Sequence, residues 1–241
     1  MILSGHQPEY LPYIGFFNKI ILCDLFVLVD HVQFVKKDYQ NRNRIRTPQG
    51  PAWLTIPVKT SGKYHQKINE VEISNSKDFR KKHRNAIYYN YKKSPYFDLL
   101  MPFFDNLYSS DINKLVDINE KIIFFILDIL NINTPIVRTS DLIPDGNKTQ
   151  MLVNMCKQYK CNTYLSGEGA LDYVNESVFN EEDLKSRYRM HKTIEYSQMG
   201  EGFSPSLSVI DLIFNCGPTK SYEIIKKSGN IVDRDYFNSI L

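Results

Sequence analysis

The first 30 residues alternate between apolar runs and a helical pattern. A short apolar run at residues 2–4 precedes the segment 10–22, in which apolar residues recur at helical spacing. A second apolar run covers residues 25–29, and Asp24 marks the break before it. The pattern predicts a strand, then a helix with Pro12 in its first turn, and then a second strand.

Basic and neutral residues alternate from 41 to 46, and a turn segment follows, Thr47-Pro48-Gln49-Gly50-Pro51. Residues 53–58 have the composition of a strand, which predicts a hairpin with the preceding basic stretch. Residues 71–73 are a candidate third strand. We therefore expect a β-rich insertion over residues 36–75, placed after the second core strand.

Helical patterns fill the middle section of the chain, residues 77–131. Three helices are predicted there, at residues 78–91, 96–108 and 111–130. The last of these is expected to be the longest helix, with Ser110 or Asp111 as its N-cap. This section separates the N-terminal strands from the later ones.

Strands and helices alternate again in the second half of the chain. Strands are predicted at residues 136–139, 163–165, 187–190 and 193–196, and the loop after the first of them is Ile143-Pro144-Asp145-Gly146. Helices are predicted at residues 148–159, 206–214 and 220–227, the last two in a helical C-terminal segment, 200–241. Strand, helix and strand in this order imply parallel pairing with right-handed crossovers. The predicted fold is a single α/β domain of residues 1–241, a Rossmann-like parallel sheet with a small β-hairpin insertion after strand 2 and a helical middle section.

The composition is that of a globular protein without a polyanionic partner. Hydrophobic residues make up 42% of the chain and the formal net charge is only +3, so DNA binding is not expected. The longest purely apolar run, residues 122–127, is far below the roughly 20 residues of a membrane span, and no cleavable leader is recognised. The four cysteines show neither CxxC spacing nor the density of a disulfide scaffold. We expect a cytoplasmic protein without a metal site.

Polar side chains follow the first two predicted strands. In alternating α/β proteins ligands bind beyond the carboxyl ends of the strands, so His6, Gln7, Asp30 and Gln33 are expected to share one rim. His6 is a candidate phosphate ligand or acid–base group, or alternatively a structural hydrogen-bonding residue. Asp30 is a candidate partner for a metal, a ribose hydroxyl or an ammonium group, or a cap for the turn after it.

The hairpin cations are a second group of candidates. Lys36, Arg42 and Arg44 suit phosphate binding, although such charges are usually solvated on a hairpin. Alternation along a strand places Arg42 and Arg44 on one face and Asn41 and Asn43 on the other.

The loop Ser166-Gly167-Glu168-Gly169 follows an apolar strand and is small enough to approach a ligand closely. It lacks the Lys-Ser/Thr that would make it a P-loop. Four later side chains are candidates for a sugar or base pocket, with core packing as the alternative: Tyr173, Tyr188, Tyr196 and Gln198.

Several motifs together resemble those of the WbqC-like family. In the N-terminal half they are His6-Gln7-Pro8-x-Tyr10-x-Pro12-x-x-Gly15-Phe16-Phe17-x-Lys19, Asp24-x-Phe26-Val27-x-x-Asp30-x-Val32-Gln33-Phe34-x-Lys36, Asn41-Arg42-Asn43 and Trp53-Leu54-x-x-Pro57-Val58. In the C-terminal half they are Tyr164-Leu165-Ser166-Gly167 and Pro205-x-Leu207-Ser208-x-x-Asp211-Leu212-x-Phe214-Asn215-x-Gly217. The resemblance covers nearly the whole chain. It implies a role in bacterial O-antigen or other surface-polysaccharide biosynthesis, with glycine transfer suggested for some members.

The order of elements has a looser similarity to the HIGH-motif nucleotidylyltransferases and pantothenate synthetase. That group binds ATP at the ends of its first and fourth strands. This sequence departs from it, because no HxGH is present: Gly15 is followed by Phe16, and only His6 lies nearby.

We therefore expect a transferase or ligase that acylates a nucleotide-linked amino sugar with glycine or another small acyl group. In this hypothesis Asp30 or Glu168 takes a proton from the sugar amine, and His6 helps to position the acyl group. The candidate binding residues are Gln7, Tyr10, Gln33, Lys36, Arg42, Asn43, Arg44, Ser166, Gly167, Tyr173, Tyr188 and Gln198. ATP with Mg²⁺, a thioester or an aminoacyl-tRNA could activate the acyl donor, and homodimer formation stays open. The alternatives are a nucleotidylyltransferase acting on a sugar phosphate and a non-catalytic subunit of polysaccharide assembly.

Overall fold

A six-stranded sheet forms the centre of the computed structural model, which describes residues 1–74, 78–141, 144–146 and 148–240. The strands in chain order are β1 (Ile2–His6), β2 (Leu25–Leu28), β3 (Arg42–Thr47), β4 (Gly50–Thr55), β5 (Ile136–Arg138), β6 (Thr163–Gly167), β7 (Lys185–His191) and β8 (Gly229–Val232). The main sheet has the order β5-β2-β1-β6-β7-β8, and β3 pairs with β4 in a separate antiparallel hairpin. Pairing is parallel from β5 to β7, and only β8 is antiparallel to its neighbour. The predicted α/β fold with a largely parallel sheet and a hairpin insertion is confirmed.

Helices pack on both faces of this sheet. They are α1 (Ile14–Ile21), α2 (Phe79–Tyr91), α3 (Phe97–Ser109), α4 (Leu115–Ile129), α5 (Lys148–Gln158), α6 (Glu176–Asn180), α7 (Val209–Lys227) and α8 (Arg234–Ile240). Alternation along β2 explains the two cores. Phe26 and Leu28 join the larger cluster with α1, α3, α4 and α7, whereas Val27 joins a second cluster with residues of α5 and α6. Burial of the central strands on both faces is typical of parallel sheets.

The path of the chain creates a crevice beside β1. From β1 the chain passes to β2 and β5 on one side, and it then returns to β6 and β7 on the other side. Connections therefore leave the carboxyl ends of β1 and β6 in opposite directions. Ligands of doubly wound sheets bind at such a switch point.

Several predicted helix boundaries are wrong because tertiary pairing holds the neighbouring residues extended. Pro12 does not lie in the first turn of α1, since Tyr13 forms a β-bridge with Ser208 and the helix begins at Ile14. The N-cap of α4 is Lys114, which pairs with Glu72, and not Ser110 or Asp111.

The predicted strands at 71–73 and 193–196 do not form as strands. The first makes only isolated bridges, and the second runs as irregular chain after β7. The elements α6, β8 and α8 were not predicted, so the C-terminal segment 200–241 contains a strand as well as helices. The element α7 consists of two helical stretches on either side of a non-helical Gly217, in line with the two helices predicted at 206–214 and 220–227, and α4 is the longest uninterrupted helix of the described residues. Ile143, where the predicted loop begins, and Lys77, where the predicted helical section begins, lie outside the described residues.

None of the helices in the described part of the chain combines the length and the apolarity needed to cross a bilayer.

The kink in α7 depends on a glycine. Gly217 has φ 74° and ψ 171°, and a Cβ at this position would overlap the Tyr96 ring. We expect Gly217→Ala to lower the free energy of unfolding by about 3 kcal/mol, because a steric clash adds to the cost of a left-handed backbone.

The matched control is Gly62→Ala. Gly62 has φ 71°, but nothing lies within 4 Å of an added Cβ. It should cost only about 1 kcal/mol. Urea unfolding measures both losses, and equal losses would contradict the packing of Tyr96 against the kink.

Candidate functional site

Polar side chains meet at the carboxyl edge of the main sheet. His6 ends β1, Gly167 ends β6 and His191 ends β7. Because β8 is antiparallel to β7 and pairs Gly229 with His191, Ser228 reaches the same edge. The edge is therefore built from chain segments more than 200 residues apart in sequence.

His6 borders three cavities at this edge. The basic cavity, of about 370 Å³, contains the cations Lys19, Arg189 and Lys192. The loop cavity, of about 330 Å³, is lined by residues of the β6 loop together with Gln7. The acidic cavity, of about 640 Å³, contains Glu9 and Asp38. These volumes lie in the range of small-molecule sites.

Two buried cations in the basic cavity have no acidic partner. Lys19 is 5% exposed and Arg189 is 3% exposed. The Lys19 ammonium donates to the Gly5 carbonyl at 2.8 Å, and the Arg189 guanidinium donates to the Ser228 carbonyl at 2.9 Å. Within the described residues, neither cation lies within 4 Å of a carboxylate. Burial lowers the pKa of Lys19 to about 8, so its ammonium stays largely charged at neutral pH.

Asn18 holds Arg189 in this position. The side chain of Asn18 is fully buried on α1, and its Oδ1 accepts from Arg189 Nε at 2.5 Å. Its Nδ2 donates to the Ile225 carbonyl at 2.8 Å, near the end of α7. Asn18 thus joins α1, α7 and β7 and orients the guanidinium.

Glu168 fixes the loop after β6 onto β7. Its Oε1 accepts from the backbone N–H of His191. His191 Nδ1 lies 3.1 Å from Arg189 Nη2, so this nitrogen accepts and the neutral ring carries its proton on Nε2. Desolvation and the nearby Arg189 charge lower the pKa of His191. The predicted site residue Glu168 therefore does lie in the cavity with His6, and it orients its neighbours there.

The imidazole of His6 is held neutral. Its Nδ1 lies 3.0 Å from the Gln7 carbonyl, which can only accept, so Nδ1 carries the proton and Nε2 carries the lone pair. The ring edge packs on Phe16 at 5.4 Å between centroids. Burial, and then the Lys19 charge, lower the pKa of His6 to about 3. At neutral pH His6 is therefore uncharged and a weak base, and its Nε2 can accept a hydrogen bond.

The sequence analysis missed Glu9, which occupies the unassigned position of the His6-Gln7-Pro8 motif. Glu9 Oε1 lies 3.7 Å from His6 Nδ1, and Glu9 is 5% exposed. Its Oε2 is buried and has no hydrogen-bond partner in the described part of the chain. Burial, and then the negative charge of Asp38, raise the pKa of Glu9 to about 8.

Four predicted binding residues lie around the loop cavity. Gln7 Oε1 accepts from Gln40 Nε2 at 2.8 Å. Ser166 is buried, and its Oγ has no partner within the described residues. Gly167 ends β6, and Tyr173 is half exposed at the far wall. The structure brings these four together with His6.

Asp30, Gln33 and Lys36 do not line these cavities, although β1 and β2 are neighbours as predicted. The buried Asp30 carboxylate accepts from Ser140 Oγ at 2.6 Å and from its backbone N–H at 2.9 Å, so Asp30 caps the turn after β5. Gln33 Nε2 donates to the Tyr64 carbonyl at 2.9 Å. Lys36 is exposed on the surface. The predicted convergence of Asp30 and Gln33 on His6 is not observed.

Four other candidates have structural partners. The fully buried Tyr10 hydroxyl contacts His83 Nδ1 at 2.7 Å. Tyr188 is also fully buried and accepts from Arg234 at 2.6 Å. The amide of Asn43 donates to the Leu11 carbonyl at 2.7 Å, and Gln198 donates to the Ser204 carbonyl at 3.0 Å. These side chains hold strands and loops in place instead of facing a cavity.

The hairpin arginines occupy one face of β3, while Asn43 is buried on the other face, as alternation predicts. Arg42 lies 4.2 Å from the centroid of the Trp53 ring, and Arg44 lies 5.5 Å from it. Arg44 also donates to the Ser206 carbonyl at 3.1 Å. Ser206 borders the basic cavity, but neither guanidinium lines it.

No group of three or more His, Cys, Asp or Glu side chains among the described residues is placed to hold a metal ion.

The sheet order and the cavities at its switch point define an α/β protein of the doubly wound class. The model of the WbqC-like protein family matches residues 7–223, and the chain belongs to this family. The chain is also similar to the uncharacterized protein Rv1507c of Mycobacterium tuberculosis (strain ATCC 25618 / H37Rv). Identity is 35% over 216 residues, which cover 88% of this chain and 92% of that protein. No solved structure matches the chain.

The neutral state of His6 can be tested by NMR. We expect that the imidazole resonance that disappears in His6→Gln shows no titration between pH 5 and pH 8, because partial burial and the Lys19 charge lower the pKa of this ring to about 3. A titration midpoint near the ordinary histidine pKa would contradict the position of His6 beside Lys19 and against the Gln7 carbonyl.

Proposed function

We propose that this protein is a transferase or ligase that acylates the amino group of a nucleotide-linked sugar in surface-polysaccharide biosynthesis. Glycine or another small acyl group is the group transferred, in line with the family to which the chain belongs. The sugar nucleotide occupies the basic cavity, where its phosphates meet Lys19 and Arg189.

The pair of unmatched cations carries this proposal. A buried charge without a partner is costly, and proteins rarely keep one without an opposing group. Lys19 and Arg189 are both buried beside His6, and neither forms an ion pair within 4 Å among the described residues, since Glu9 and Glu168 act on them only from a longer distance. A bound diphosphate would supply the missing negative charge through charge-assisted hydrogen bonds.

His6 is suited to the chemical step. As the amine nitrogen forms a bond with the acyl carbon, the bond from that carbon to its phosphate or thiolate leaving group breaks, and the leaving group keeps the electron pair. The nitrogen must then lose a proton, which the departing phosphate or thiolate takes, while the lone pair on His6 Nε2 accepts a hydrogen bond from the nitrogen and orients it. Glu168 accepts a hydrogen bond from the backbone N–H of His191 and so fixes the loop after β6 at the basic cavity. Activation of the donor by ATP, as an acyl phosphate, or by a thioester fits the same step.

The activity can be measured directly. The protein is incubated with UDP- or dTDP-linked amino sugars and with glycine plus ATP and Mg²⁺, or with short-chain acyl thioesters, and the sugar nucleotide is followed by mass spectrometry. We expect a mass increase equal to one acyl group. An unchanged mass with every donor would contradict the proposal.

A pyrophosphate-release assay tests a second candidate function, a nucleotidylyltransferase that acts on a sugar phosphate. The position of the crevice favours this candidate, since nucleotides bind at the switch points of doubly wound sheets. Such an enzyme would release pyrophosphate from a nucleoside triphosphate and a sugar phosphate, with no amine required.

The role of Lys19 gives a binding prediction. Lys19→Met removes the charge and keeps most of the length of the side chain, so we expect the Kd for a UDP-sugar to rise about 10-fold or more by calorimetry. Lys82→Met, at an exposed position on α2, is the control and should leave the Kd unchanged. Equal affinity of the wild type and Lys19→Met would show that the phosphates bind elsewhere.

A further inference from the structure

We propose that the acidic cavity binds the primary ammonium group of the substrate and that the Glu9 carboxylate removes its first proton. This inference rests on the proposed function and names the group that prepares the amine for reaction. Glu9 is a catalytic residue in this scheme, because it touches the reacting nitrogen.

The geometry of Glu9 points to a ligand. Glu9 is 5% exposed, yet its Oε2 has no hydrogen-bond partner within the described residues. Glu9 lines the acidic cavity together with Asp38, Tyr39 and Gln40. A buried carboxylate oxygen without a donor is costly, and an N–H of a bound ammonium would satisfy it.

The charged groups around Glu9 fit this role. His6 and Lys19 face it from the side of the sheet, Asp38 faces it from the chain before the hairpin, and Tyr13 lies at the start of α1. Burial and the Asp38 charge raise the pKa of Glu9 to about 8. In the free protein Glu9 is therefore largely protonated at neutral pH, and a bound ammonium would favour its carboxylate form, which is a stronger base than an ordinary glutamate.

The two cavities that meet at His6 differ in charge, and this difference orients the substrate. Lys19, Arg189 and Lys192 outnumber Glu168 in the basic cavity and attract phosphates, whereas Asp38 in the acidic cavity, joined by Glu9 once it has ionised, attracts an ammonium. A sugar nucleotide with both groups would therefore lie across His6. Its reacting nitrogen would lie beside the imidazole.

The proton balance divides the work between Glu9 and the leaving group. Acylation of R–NH₃⁺ releases two protons in all. Glu9, as its carboxylate, takes the first and leaves R–NH₂ with a free lone pair. The departing phosphate or thiolate takes the second as the nitrogen–carbon bond forms and the bond to the leaving group breaks, and His6 Nε2 orients the nitrogen by accepting a hydrogen bond from it.

The test compares UDP-glucosamine, which has a free amine, with UDP-glucose, which has a hydroxyl at the same carbon. In calorimetry we expect the wild type to bind the amine at least about 10-fold more tightly, and Glu9→Gln to reduce the preference to about 2-fold or less. Glu9→Asp, which keeps the charge, should restore part of it. Asp38→Asn removes the charge that, in addition to burial, raises the pKa of Glu9, so the preference should appear at a lower pH than in the wild type.

Two further measurements separate this inference from the proposed function. Lys19→Met should weaken both ligands and keep the preference for the amine, because Lys19 acts on the phosphates. If acyl transfer occurs, its kcat/KM should rise with pH in the wild type as Glu9 ionises, and Glu9→Gln should remove that limb.

The outcomes are distinct. A retained amine preference without any acyl product would overturn the proposed function and leave the acidic cavity as an ammonium site. Acyl transfer with an amine preference unchanged in Glu9→Gln would overturn the inference alone. Equal binding of the two UDP-sugars by the wild type, or binding of neither, would also overturn it. If Glu9→Gln does not fold, the pH dependence of the amine preference in Asp38→Asn decides the question, and a preference that appears at the same pH as in the wild type would overturn the inference.

Discussion

The site depends on the burial of two cations beside a neutral histidine. Lys19 and Arg189 are removed from water without a carboxylate partner in the described chain, and that arrangement is unfavourable unless another anion completes it. The fold sustains it through Asn18, whose amide fixes Arg189 on one side and the end of α7 on the other. Asn18 and Lys19, the two buried polar residues of α1, therefore belong to the site together with the residues at the strand ends.

Charge is arranged in opposite senses on the two sides of His6. The basic cavity is suited to an anion, and the acidic cavity, with the orphan oxygen of Glu9, is suited to a cation. A substrate that carries both a phosphate and an amine satisfies both sides at once. This complementarity, more than any single residue, supports the proposal of transfer onto an amino sugar, with an imidazole of lowered pKa between the two cavities.

Sequence patterns predicted the sheet, the hairpin and the place of His6, because apolar periodicity and strand ends are local properties. They failed where a side chain acquires its partner from a distant segment. Asp30 follows a strand as a ligand residue would, but Ser140 and the turn after β5 occupy its oxygens. Tyr10 belongs to a family motif yet bonds to His83 in the core. The sequence indicated only that Arg189 lies in a strand. Its burial could not be predicted, because β8, the strand that pairs with it, was not predicted.

The central claim is that the phosphates of the substrate complete the Lys19 and Arg189 pair at the switch point of the sheet. A crystal structure with a bound UDP-sugar tests it most directly. The account predicts phosphate oxygens within hydrogen-bond distance of Lys19 Nζ and of the Arg189 guanidinium, with the sugar next to His6. A diphosphate bound instead on the hairpin face, against Arg42 and Arg44, would contradict it.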